Sequence, residues 1–160
     1  MPTILAAIDF SCVTDRVLAA AAELAGTEAS QIVLLHVIQF PVTLISAELA
    51  TEALAILVAG LERDAVERLR CLMPALGSIR VEALTAAGQP AQEILREARA
   101  TGADFIVLGS HGRTASYEFL LGSTARGLMA TSELPVILVP ARLAPFGTQA
   151  EAELAAFANV

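Results

Sequence analysis

The chain has 160 residues, a length that predicts a single domain with a sizeable core, and 56% of the residues are hydrophobic. Its formal net charge is −7. The acidic balance argues against nucleic acid or an anionic membrane as a partner, because both attract basic surfaces. No apolar run approaches the roughly 18 residues of a membrane span, and the first three residues carry no positive charge of the kind that opens a signal segment, so we expect a cytoplasmic protein.

The first third of the chain predicts two buried strands joined by a helix. Residues 4–8 and 32–38 are apolar runs too short for helices, and they are typical of strands buried on both faces. Between them, apolar residues recur at helical spacing, with Ser11 or Thr14 as the expected N-cap and Gly26 as the stop.

The middle of the chain predicts a long helix, an edge strand and a second helix. Residues 43–72 have helical periodicity, and opposite charges one turn apart indicate a solvated face there rather than a site. Residues 79–85 alternate apolar and polar, as in a strand with one wet face, and Gly88-Gln89-Pro90 turns the chain into a helix that ends at Thr101-Gly102. The candidate core positions of the long helix are Ile45, Leu49, Leu54, Ile56, Leu57, Leu61, Ala65, Leu69 and Leu72.

A glycine-rich stretch follows the fourth predicted strand, residues 105–108. Gly109 follows the strand directly. After a loop, Gly122-Ser123-Thr124 begins a predicted helix over 123–131. A helix N-terminus offers unpaired N–H groups to an anion, and glycine lets a phosphate approach the backbone closely, so this pattern predicts a phosphate-binding loop. A tight turn followed by a helix cap would also explain it. The absence of lysine excludes a P-loop, and the first strand is not followed by a dinucleotide fingerprint.

A last buried strand, 136–139, brings the prediction to five strands alternating with four helical segments. This alternation favours a doubly wound, Rossmann-like parallel sheet of order 3-2-1-4-5 with helices on both faces. The first and fourth strands are then neighbours where the strand order reverses. Asp9 and Gly109 therefore lie on two sides of one crevice, at the usual ligand site of such sheets.

The glycine pattern resembles the ATP-binding signature of the universal stress protein family. Its form, G-x-x-G, nine residues and G-[S/T], is filled here by Gly109, Gly112, Gly122 and Ser123. The similarity includes Asp9-Phe10-Ser11 after the first strand, His36-Val37 in the second, and the last strand before Pro140, and it covers residues 2–141. We therefore expect one nucleotide-binding domain over 1–141, of the adenine nucleotide alpha hydrolase-like type, and a C-terminal extension over 142–160 that holds a short amphipathic helix.

This resemblance implies a site and a function. The site would bind ATP with Mg or Mn, with Asp9 facing the ribose and metal region and the backbone at Val37 reading the adenine edge. It also implies a homodimer formed along strand 136–139 and a regulatory role, in stress sensing, through a protein partner of unknown identity. The implied binding residues are Asp9, Val37, Leu108, Gly109, His111, Gly112, Arg113, Gly122, Ser123 and Thr124.

Two other functions remain open from the sequence. The protein would be a slow ATPase or a nucleotidyl transferase if Asp9, His111 or Arg113 promoted turnover, although they form no catalytic motif. It would be a nucleotide-free interaction module if the glycines were structural. The remaining candidates have structural interpretations: His36 is expected to be packed and hydrogen-bonded within its strand, and Cys12 to be a small buried residue.

Overall fold

The computed structural model describes residues 1–26, 29–39, 51–110 and 121–140. Five strands form one parallel sheet of order β3-β2-β1-β4-β5, as predicted. The strands are β1 (Thr3–Ala7), β2 (Gln31–Ile38), β3 (Arg80–Ala87), β4 (Phe105–Gly109) and β5 (Val136–Val139). The helices are α1 (Thr14–Ala25), α2 (Thr51–Leu72), α3 (Pro90–Thr101) and α4 (Ser123–Thr131), and a short 3-10 helix, Met73–Leu76, follows α2.

The three central strands are apolar because both faces of the sheet are covered. Ala6 of β1 lies opposite Leu34 of β2 and Val107 of β4, and all three side chains are fully buried. On one face, the core contains residues of α1 and α2, among them Val17 and Leu69. On the other face, it contains residues of α3 and α4. The sheet is therefore doubly wound, and its central strands end in the cleft described below.

The predicted core face of α2 was wrong in its first half. Ile56, Leu57 and Leu61 are 68%, 50% and 40% exposed, whereas Ala65 and Leu69 are buried. Helical spacing identifies apolar positions along a helix, but the contacts of this helix with β2 and β3 decide which of them the sheet covers. Leu72 packs at the margin of the core. The predictions for Ile45, Leu49, the side chain of Leu54 and residues 43–50 lie outside the described residues.

At the start of the chain, the expected N-cap of α1 and the expected burial of Cys12 were wrong, whereas the expected stop at Gly26 is confirmed. The N-cap of α1 is Val13, with no side-chain cap, because the Ser11 carbonyl already accepts the Thr14 N–H at 3.1 Å. Cys12 is exposed rather than buried, since it lies in the turn that leads into this helix. Gly26 does end the helix, in the left-handed conformation that favours glycine.

No helix in the described ranges is both long and apolar enough to cross a membrane. The longest, α2, carries charged residues throughout its second half. The predicted edge strand is confirmed, two residues longer than expected at its C-terminal end, as β3.

Candidate functional site

A cleft of about 840 Å³ lies at the carboxyl ends of β1, β2 and β4. Its volume is within the usual range for small-molecule sites, and its position is the one that ligands occupy in doubly wound sheets. Seven of the ten predicted binding residues line it: Asp9, Val37, Leu108, Gly109, Gly122, Ser123 and Thr124. Residues from sequence positions 9 to 124 thus meet in one place because strand order reverses between β1 and β4.

The glycine loop begins and ends beside the carboxyl end of β4. The Ser110 N–H donates to the carbonyl of Val139 at 2.7 Å, and the Gly122 N–H donates to the carbonyl of Ser110 at 2.8 Å. These bonds fix both ends of the loop beside the carboxyl end of β4. The predicted residues His111, Gly112 and Arg113 lie between those ends, outside the described residues.

The start of α4 presents backbone donors to the cleft. Gly122 is the N-cap, without a side-chain cap, and the first intrahelical bond runs from the Arg126 N–H to the Gly122 carbonyl at 3.0 Å. The N–H groups of Ser123, Thr124 and Ala125 therefore have no acceptor within the helix. All three residues line the cleft. Three such amides at the positive end of a helix dipole attract an anion.

Asp9 lines the same cleft as the start of this helix, two residues after the end of β1. Its Oδ1 accepts the Ser11 N–H at 3.0 Å, so the carboxylate also organises the turn into α1. The structural and the functional interpretations of this acid therefore apply together. A carboxylate here is suited to ribose hydroxyls, which donate hydrogen bonds, or to a cation bound by phosphates.

The end of β2 forms a third side of the cleft. Val37 is half-buried there, and the neighbouring His36 is held through Nδ1, which lies 2.6 Å from the carbonyl of Ile8. Because a carbonyl can only accept, Nδ1 carries the proton. His36 is thus packed and hydrogen-bonded, as predicted, and it also lines the cleft.

The turn before α3 leads into the cleft wall. Gly88 has a φ of 147°, and its N–H donates to the carbonyl of Ile38 at 3.0 Å. This bond fastens the turn to the end of β2 and places Pro90, the first residue of α3, in the cleft wall. The predicted strand-to-helix turn is confirmed.

Two arginines line this cleft that sequence reasoning did not identify. Arg126 lies in the first turn of α4, beside the free amides, and Arg68 projects from α2 with Asp64 one turn before it. Both arginines are exposed. Arg126 supplies positive charge beside these amides, in a protein whose net charge is −7. The first could have been found from its place next to Gly122-Ser123, whereas nothing in the periodicity of α2 distinguished Arg68 from the other charges on that helix.

Comparison with known proteins places this fold and cleft in a family. The model of the universal stress protein family matches residues 1–140. Universal stress protein YxiE of Bacillus subtilis is 30% identical over 152 residues, which cover 84% of this chain and 96% of the relative.

Solved structures agree. The structure of protein MJ0577, from Methanocaldococcus jannaschii, superimposes with a TM-score of 0.73 at 29% identity, over 87% of this chain and 95% of that one. A family protein of Arabidopsis thaliana, solved with AMP bound, superimposes with a TM-score of 0.59 at 20% identity, over 95% and 99% of the two chains. The chain therefore belongs to the universal stress protein family.

Proposed function

We propose that the cleft binds an adenine nucleotide, specifically ATP with Mg²⁺ or Mn²⁺, and that the protein acts as a stress-response regulatory module with little turnover. The amides of Ser123, Thr124 and Ala125 bind the phosphates, Asp9 faces the ribose, and the backbone at Val37 meets the adenine edge. One observation carries the proposal: groups suited to the phosphates, the sugar and the base line a single cleft.

The phosphate end supports a polyphosphate ligand. Three successive amides at the start of α4 can bind several anionic oxygens, and Arg126 adds a cation to the same wall. The AMP-bound Arabidopsis relative supports the class of ligand, an adenine nucleotide. The predicted residues His111, Gly112 and Arg113 belong to this proposal through the glycine signature.

The residues present fit a metal that arrives with the nucleotide. Within the described ranges no three His, Cys, Asp or Glu side chains form a metal-binding group. Asp9 is the predicted acid in the cleft, and Mg²⁺ is commonly held by one or two carboxylates together with substrate phosphates. The metal would neutralise phosphate charge beside Asp9.

Binding with little turnover is favoured over catalysis on chemical grounds. Phosphoryl transfer needs a positioned water, a residue that orients it, and positive charge on the γ-phosphate. Asp9, His111 and Arg113 are the candidates, and they form no recognised catalytic motif. Accumulation of ADP in proportion to protein concentration would favour the slow ATPase instead.

The test begins with the nucleotide that the protein retains. Freshly purified protein is denatured and the released compounds are identified; near-stoichiometric ATP supports the proposal. ADP or AMP would indicate turnover. If nothing is released and Mg-ATP added back does not bind, the interaction-module hypothesis replaces this one.

A pair of variants at one position then tests the amides. Ser123→Pro removes the first N–H of α4 at the helix position that tolerates proline best, and Gly122 before it has extended angles compatible with proline. Ser123→Ala removes the hydroxyl alone. We expect Ser123→Pro to bind ATP about 10- to 100-fold more weakly than Ser123→Ala, as for one hydrogen bond to a charged group. Equal affinities would contradict the placement of the phosphates.

We also propose a homodimer formed along β5. This strand is one edge of the sheet, and its sequence, Val-Ile-Leu-Val, is wholly apolar. The other edge, β3, carries exposed Arg80 and Glu82. An uncharged apolar edge is the one suited to a partner, because charged edge strands resist pairing.

A further inference from the structure

Three side chains from three elements stack at one wall of the cleft. The guanidinium carbon of Arg68, on α2, lies 3.7 Å from the centroid of the Phe10 ring. The rings of Phe10 and His36 have centroids 4.6 Å apart and are tilted by 43°. All three residues line the cleft, and Phe10 directly follows Asp9.

Phe10 has a backbone conformation that needs support. Its φ is 58°, and in the described part of the chain it is the one non-glycine residue with a positive φ. A bulky L-residue rarely adopts this left-handed region, because its Cβ approaches the carbonyl oxygen. Such a conformation persists where surrounding contacts hold it, and it occurs disproportionately at functional sites.

The conformation of Phe10 determines where the carboxylate of Asp9 points. The Asp9 carboxylate accepts the Ser11 N–H across Phe10, at 3.0 Å. On the other side, His36 is bonded to the carbonyl of Ile8, and the Ile8 N–H donates to the carbonyl of Leu35 at 2.8 Å. A change in the φ of Phe10 would therefore move Asp9 relative to β2.

Arg68 contacts this aromatic ring. Asp64 is one helical turn away on α2, the usual spacing for an ion pair. Among the described residues, however, no carboxylate lies within ion-pair distance of Arg68. The guanidinium is thus placed over Phe10, where a cation–π contact stabilises the ring position.

We propose that Arg68 and His36 are positioning residues that hold Phe10 in its left-handed conformation and thereby aim Asp9 at the ribose hydroxyls. This inference rests on the proposed nucleotide function and deepens it, because it assigns ribose discrimination to a contact between α2 and the turn after β1. Arg68 acts on the sugar through Phe10 and Asp9, without touching the nucleotide phosphates.

The test compares ATP with 2′-deoxy-ATP and 3′-deoxy-ATP by isothermal titration calorimetry. Arg68→Gln removes the cation; Arg68→Lys keeps it; Arg63→Gln is the matched control, an exposed arginine on the same helix that lies outside the cleft. Asp9→Asn provides the reference for lost ribose recognition. Phe10→Ala removes the ring while leaving Arg68 in place.

We expect Arg68→Gln to weaken ATP binding about two- to fivefold, the size of one exposed cation–π contact. Binding of the deoxynucleotide that lacks the hydroxyl recognised by Asp9, which the wild type binds more weakly than ATP, should not change. The ratio of the affinity for ATP to the affinity for that deoxynucleotide then falls in Arg68→Gln towards the ratio measured for Asp9→Asn. Phe10→Ala should behave alike, whereas Arg68→Lys should retain most of the preference and Arg63→Gln all of it.

Several results would overturn the inference. If Arg68→Gln lost the same factor of affinity for ATP and for both deoxynucleotides, Arg68 would act directly or by general electrostatics. If it lost no affinity for ATP, Arg68 would have no role in binding. A wild type that binds the three nucleotides equally would exclude ribose recognition. A wild type that binds none of them would overturn the proposed function itself, which distinguishes the two failures.

Discussion

Helices α3 and α4 approach each other closely at Gly127, and this contact decides whether Gly127→Ala stabilises or destabilises the protein. A Cβ added at Gly127 would lie 2.9 Å from the Cβ of Ala91, closer than real Cβ atoms approach. In an open helix, Gly→Ala stabilises by about 1 kcal/mol. Overpacking of this kind costs about 1–3 kcal/mol. We therefore expect Gly127→Ala to destabilise the protein by up to about 2 kcal/mol, or to leave stability unchanged at best.

The control for this prediction is the same substitution where space is available. Gly60 lies in the interior of α2, and a Cβ there would meet nothing within 4 Å. Gly60→Ala should raise Tm by about 2–4 °C, the shift that about 1 kcal/mol gives in a protein of this size. Gly127→Ala should lower Tm or leave it unchanged in the same thermal unfolding assay.

A second substitution identifies the cause. Ala91→Gly introduced with Gly127→Ala removes the close contact, so the double variant should be more stable than the two single effects predict by addition. Because α4 carries the amides of Ser123 to Ala125, Gly127→Ala should also weaken ATP binding, and the double variant should recover it. If Gly127→Ala stabilised the protein as much as Gly60→Ala does, the reasoning from this contact would be refuted.

Two further predictions concern the sheet edge and the start of α1. Val136→Lys places a charge on the apolar edge strand, while the aliphatic part of the lysine side chain covers the half-buried position. Sedimentation velocity should show a dimer for the wild type and a monomer for the variant. A monomeric wild type would contradict the proposed dimer. Thr14→Val removes a buried hydroxyl that has no hydrogen-bond partner among the described residues, so it should stabilise the protein by about 1 kcal/mol and raise Tm by about 2–4 °C. A lower Tm would show that this hydroxyl is satisfied in solution.

Much of the fold and part of the site followed from local patterns. Apolar runs at residues 4–8 and 32–38 identified buried strands because only a strand covered on both faces needs such a run. The alternation of strands and helices then predicted the parallel sheet, and the reversal of strand order predicted that Asp9 and Gly109 line one crevice. Gly109, Gly122 and Ser123 predicted one wall of the cleft, and the structure places all three there.

What the tertiary structure decided depends on contacts between distant parts of the chain. Helical periodicity marked Ile56 and Leu57 as core, yet both side chains are exposed in the structure. Arg68 looked like any other charge on a solvated helix face until the fold placed it over Phe10, 58 positions earlier in the sequence. The sequence by itself thus determined which segments form strands and helices and where the glycine loop returns to a helix start, because those depend on neighbouring residues. The tertiary structure alone decided which side chains meet across the cleft, because packing joins residues that no local pattern relates.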